Sequence, residues 1–87
     1  MITEKVTITN ETGLHARPAS IFVNMAAKFK SELMVEKGEK QVNAKSILAV
    51  LSLGISKGTE ITISAQGPDE EEAVSKLVEL VQLKFNE

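Results

Sequence analysis

Apolar residues along this chain recur at two different spacings, and stretches of one spacing alternate with stretches of the other. From Ile2 to Ile8 the spacing is two, with Ile2, Val6 and Ile8 on one face and Thr3, Lys5 and Thr7 on the other. Successive side chains of a strand point to opposite faces, so this alternation predicts a half-buried strand. Asn10 and Gly13 make the stretch from Thr9 to Leu14 a loop. Beyond it, Ala19, Phe22, Met25, Ala26 and Phe29 fall at the intervals that line one side of a helix, predicted over Ala16 to Phe29. Pro18 has no N–H and is tolerated in the first turn, where donors lack an intrahelical acceptor. This helix is therefore expected to begin near His15.

The remainder follows the same two rules. Leu33 and Val35 alternate with Met34 and Glu36, Lys37-Gly38-Glu39 supplies a turn, and Val42 belongs to the returning strand. Ser46 to Leu53 reads as a short apolar helix, with Ser46 as N-cap and Gly54 as stop. Glu60 to Gln66 is a strand with Ile61, Ile63 and Ala65 facing inward, and Gly67-Pro68-Asp69 breaks it. A last helix is expected from Asp69 to Phe85. Its acidic first turn, Asp69 to Glu72, suits the helix dipole, and Ala73, Leu77, Leu80 and Val81 form its buried stripe. The order β-α-β-β-α-β-α suits a meandering sheet with helices on one face, an α+β two-layer sandwich.

At 87 residues with no linker or internal repeat, the chain reads as one domain, residues 1–87. It has no cysteine, so stability rests on packing and no thiolate chemistry is open to it. The first ten residues alternate and lack the apolar core of a signal peptide, and the run Ile47 to Leu51 is far too short to span a bilayer. A soluble, cytoplasmic protein with no membrane insertion is expected. The formal net charge of −2 opposes general nucleic-acid binding.

Chemistry concentrates in Gly13-Leu14-His15-Ala16-Arg17-Pro18-Ala19. Gly13 lets the backbone turn ahead of the helix. His15, the one histidine, then stands at the helix N-terminus, where open N–H groups and the dipole favour an anion. Arg17 adds a fork of charged donors able to hold phosphoryl oxygens. Together they describe a histidine able to accept and release a phosphoryl group. A metal site is a poor fit to one histidine and no cysteine. A Ser-His triad lacks partners, and the strands carry none of the aromatics on which RNA-binding sheets stack bases.

That stretch, with Lys45-Ser46-Ile47-Leu48-Ala49-Val50-Leu51-Ser52-Leu53-Gly54, resembles the two signatures of the HPr family, the histidine-containing phosphocarriers of the bacterial sugar phosphotransferase system. The likeness runs over essentially the whole chain. It implies an open-faced β-sandwich of four antiparallel strands with three helices on one face. It implies a stoichiometric phosphocarrier rather than an enzyme, with no cofactor and no metal, acting as a monomer. Enzyme I would phosphorylate His15, with phosphoenolpyruvate as ultimate donor and Arg17 assisting, and the A components of sugar permeases would receive the group.

Ser46 is by itself a good N-cap. Its Lys45-Ser46-Ile47 context resembles Gram-positive family members phosphorylated at this serine by an ATP-dependent kinase/phosphorylase, a mark linked to carbon catabolite control through a transcription regulator. Negative charge at a helix N-terminus is tolerated, so such a mark need not unfold the domain. The partner surface is expected at Ala16, Ser20, Ile47, Leu48 and Leu51, with part of the apolar group serving as core. Leu48 and Leu51 stand where the family often has methionine, and Ala49 where it often has glycine. Leucine keeps the volume and gives up the flexible thioether. A rival reading is a purely regulatory module acting through Ser46, but family members of that type lack the histidine.

Overall fold

The computed structural model describes residues 1–86. In chain order it contains β1 (Ile2–Thr7), α1 (Ala16–Ala26), β2 (Glu32–Lys37), β3 (Lys40–Asn43), α2 (Ile47–Ser52), β4 (Glu60–Gln66) and α3 (Glu70–Gln82), then a 3-10 turn at Lys84–Asn86. The strands form one antiparallel sheet in the order β1-β4-β2-β3. The expected α+β sandwich with helices on one face is present, but the sheet is not a meander. Only β2 and β3 are joined as a hairpin, and β4 returns to lie between β1 and β2. Its inner face, Ile61, Ile63 and Ala65, is almost wholly buried. Central placement gives Ala65 apolar partners on both sides, Leu33 of β2 and Ile2 of β1, while Ile63 pairs with Val35 of β2 and Glu4 of β1.

Helix α3 covers β1 and β4, α2 lies against β3, and α1 packs on α2 and α3. Phe22 of α1, Leu77 of α3 and Val50 of α2 meet Leu33, Val35, Ile61 and Ile63 in one core. The other side of the sheet is mostly polar: Thr3, Ser64 and Asn43 share one row with the half-buried Met34, and Lys5, Thr62, Glu36 and Gln41 form the next. Phe22 and Phe85 are buried, and no aromatic stands on that open face among the described residues.

Both long helices end earlier than their apolar spacing predicts. Helix α1 stops at Ala26 rather than Phe29, because Lys28 and Phe29 donate to the carbonyls three residues back, of Met25 and Ala26. Helix α3 stops at Gln82 rather than Phe85. Lys84 and Phe85 adopt φ of 55° and 58°, left-handed values for which non-glycine residues are strained by about 1–2 kcal/mol each. Burying the Phe85 ring, 1% exposed, offsets much of that strain, since a fully buried phenylalanine contributes roughly 1.5–3 kcal/mol.

Asp69 is not in the first turn of α3 but precedes it as N-cap, and its carboxylate serves another purpose. It accepts the Ser31 hydroxyl and the backbone N–H groups of Lys30 and Ser31, the latter two at 2.9 Å. The start of α3 is thereby tied to the loop between α1 and β2. The Ser31 hydroxyl first, then the Lys30 N–H, hold the Asp69 carboxyl below the usual carboxylate range. A lowered folded pKa contributes stability above the ordinary carboxylate range and loses it as pH falls through the folded value. Asp69→Asn is expected to lower Tm at pH 7 by roughly 5–10 °C. The gap to wild type should close as pH falls below the usual carboxylate range and the Asp69 carboxyl takes up its proton. A gap that persists in acid would show that the carboxylate charge is not the source.

Candidate functional site

Residue 15 is placed by the loop before it. The Asn10 side chain donates to the Gly13 carbonyl at 2.8 Å and to Thr12 Oγ1 at 3.1 Å, and the Gly13 N–H donates to the Asn10 carbonyl at 3.2 Å. Gly13 has φ +64°, and a Cβ there would lie 2.6 Å from the Ile55 carbonyl oxygen and 2.7 Å from Ser56 Cα. The Leu14 N–H then donates to the Ile55 carbonyl at 3.0 Å. The histidine loop is thus clasped by the segment that follows α2. Further along, Ile8 and Thr59 share a backbone bond of 2.9 Å, and Lys57 pairs with Glu11 at 2.8 Å. The Lys57 ammonium lowers the pKa of the exposed Glu11.

His15 is the N-cap of α1, with extended backbone (φ −80°, ψ −169°) and a carbonyl that accepts the Ala19 N–H at 2.8 Å. Its imidazole makes no capping bond and is exposed, between the buried Leu14 and Pro18. Pro18 is the third helical residue, so the helical donors left open at this end belong to Ala16 and Arg17. Arg17 is exposed and enters no ion pair among the described residues. An exposed ring nitrogen, two open N–H groups and a free guanidinium can receive a tetrahedral anion.

Ser46 caps α2 as its sequence suggests: its Oγ accepts the Ala49 N–H at 3.3 Å, and its carbonyl accepts the Val50 N–H at 3.0 Å. At the other end Gly54, φ +61°, ends the helix in the left-handed conformation that glycine adopts without strain. Two bonds orient α2 relative to α1. The Lys45 ammonium reaches the Phe29 carbonyl at 2.7 Å, and Leu14 is bonded to Ile55. The helices therefore run antiparallel, with His15 beside the end of α2 and Ser46 beside the end of α1. The two candidate residues are not one site; they mark opposite ends of a helix pair.

Between them lies the expected partner surface. Leu48 is 78% exposed and Leu51 36%, three residues apart on one side of α2. Val50 is the fully buried residue of this helix, and Ile47 is half-buried. Ala16 and Ser20 are exposed on the first turns of α1. Sequence reasoning missed Lys37, whose ammonium donates to the Leu53 and Gly54 carbonyls at 3.0 and 3.1 Å. It also missed the Lys45 contact, the Asp69 tie and the Ile55 carbonyl. No local pattern marks these groups, because each partner lies 16 or more residues away. Among the described residues no three His, Cys, Asp or Glu side chains gather to hold a metal, and no helix is long and apolar enough to cross a membrane.

The family model for the HPr component phosphorylation site of the phosphotransferase system matches residues 2–82. The HPr-like protein Crh of Bacillus subtilis is 51% identical over 82 residues, covering 94% of this chain and 96% of Crh. The structure of HPr-C-His from Thermoanaerobacter tengcongensis superposes with a TM-score of 0.98 at 53% identity, over 100% of this chain and 98% of that one. An HPr dimer from the same organism matches at a TM-score of 0.81, over the full length of both chains. With the open-faced fold and a histidine at the head of α1 in agreement, the chain belongs to the HPr family of phosphocarrier proteins.

Proposed function

We propose that His15 relays a phosphoryl group from phospho-Enzyme I to the A components of sugar permeases. The observation that carries this reading is the exposed His15 imidazole at the head of α1, beside the open Ala16 and Arg17 N–H groups and the Arg17 guanidinium. A lone pair of a ring nitrogen attacks phosphorus, an N–P bond forms, and the bond to the donor breaks; the acceptor's nucleophile then repeats the exchange. The chain ends each cycle unchanged but completes no turnover alone, so it acts as a stoichiometric carrier in the cytoplasm. The relay asks for a single chain, because His15 and Arg17 belong to the same helix end; an HPr dimer is known from Thermoanaerobacter, so the oligomeric state of this chain is to be measured by sedimentation.

Ser46 is the regulatory position in this reading. A kinase would pass the γ-phosphoryl of ATP to Oγ, with ADP leaving, and the stable ester would be read by a catabolite-control regulator. Incubation with Enzyme I and phosphoenolpyruvate should add one phosphoryl group per chain, stable in alkali and lost in acid. Absence of label, or a label that survives acid, would remove the relay and leave the rival regulatory module acting through Ser46.

A further inference from the structure

Lys45 precedes the candidate regulatory serine, yet its side chain holds a different helix. Its ammonium donates to the Phe29 carbonyl at 2.7 Å, in the turn where α1 has just ended and its last carbonyls lack intrahelical donors. The backbone at Lys45 is fixed independently: its N–H donates to Asn43 Oδ1 at 2.8 Å, and the Ser46 N–H donates to the Asn43 carbonyl at 3.1 Å. Lys45 enters no ion pair among the described residues, so its charge faces a neutral acceptor. A cleft of about 410 Å³ opens on one side of Lys45, lined also by Lys30, Met34 and Asn43, so the lysine stem is not packed in on all sides.

From these contacts we infer that Lys45 is a two-position latch, moving from the Phe29 carbonyl to the phosphate when Ser46 is phosphorylated, and loosening the end of α1. The inference rests on the reading of Ser46 as a modified residue. Neighbouring Cα atoms are about 3.8 Å apart, within the combined reach of a lysine stem and a phosphoserine. Bonds between two charged groups are about twice as strong as those to a neutral acceptor, so a dianionic phosphate outcompetes the carbonyl for the ammonium. The cost falls on the turn that Lys45 leaves. Lys28 and Phe29, whose N–H groups close that turn onto Met25 and Ala26, become easier to open. The mark at the start of α2 is thereby felt in α1, the helix that His15 heads.

The test uses the full chain with phosphoserine incorporated directly at position 46, so no kinase is needed. Amide hydrogen exchange of Lys28 and Phe29 is expected to quicken roughly tenfold on phosphorylation, the equivalent of one ordinary hydrogen bond lost. Gly54, at the far end of α2 under the Lys37 cap, should exchange as before. In Lys45→Met the Lys28 and Phe29 amides should already be fast and should not respond further, whereas Lys45→Arg should behave as wild type. Unchanged exchange in the phosphorylated wild type, or equal quickening in Lys45→Met, would overturn the latch. Should Lys45→Met not fold, the wild-type exchange and the Lys45→Arg response decide the matter. Failure of a serine kinase to label Ser46 is a separate result that removes the regulatory reading and leaves the exchange outcome standing.

Discussion

The His15→Ala variant is expected to take up no phosphoryl group from phospho-Enzyme I while melting within about 2 °C of the wild type. Both halves follow from the same geometry. The imidazole is exposed and makes no capping hydrogen bond, so its removal opens no cavity and orphans no donor. What remains, Arg17 and the open N–H groups of the first turn, can attract an anion but holds no atom able to form a bond to phosphorus. Mass spectrometry after incubation with Enzyme I and phosphoenolpyruvate measures the first half, and thermal unfolding followed by circular dichroism measures the second. Normal labelling of this variant would remove His15 from the relay. A large fall in Tm would show that the ring is built into the fold in a way its exposure does not suggest.

Gly13→Ala should be the most damaging single methyl group in the histidine loop. Two costs combine there. The left-handed backbone at φ +64° strains an alanine by about 1–2 kcal/mol, and a Cβ 2.6 Å from the Ile55 oxygen forces two backbone segments apart for another 1–3 kcal/mol. The sum, about 3 kcal/mol, corresponds to a fall in Tm of roughly 10–20 °C. Gly38 makes the control, because its φ is +60° but nothing lies within 4 Å of its Cβ position. Gly38→Ala should show the conformational strain alone. If the two variants melt together, the close approach of Ile55 and Ser56 contributes nothing. The clash should also slow phosphoryl uptake by the fraction that stays folded, measured well below Tm, because separation from Ile55 breaks the Leu14 anchor adjacent to His15.

Features that depend on neighbours in sequence were legible before any coordinates. Pro18 located the start of α1 because a residue without an N–H fits only where a donor would be idle. Ser46 and Gly54 bracketed α2 for equally local reasons, an oxygen for the first-turn donors and a left-handed stop. The alternation in β1, β2 and β4 identified the inward residues, and Ile61, Ile63 and Ala65 are all buried. Helix ends were less legible. Spacing alone carried α1 to Phe29 and α3 to Phe85, since a residue can stay on the buried side after the backbone has left the helix.

His15 shows the division most plainly. Its residue type and its place behind Pro18 put it at the head of a helix, and that much the amino-acid order determined by short-range sterics and hydrogen bonding. The antiparallel setting of α1 and α2, which parts His15 from Ser46, and the return of β4 to the sheet centre were decided in three dimensions. So were the clasp of Gly13 by Ile55 and the reach of Lys45 to Phe29 and of Asp69 to Ser31. Each of these joins groups at least 16 residues apart through backbone atoms that every residue carries, and backbone carbonyls and amides leave no mark in a sequence.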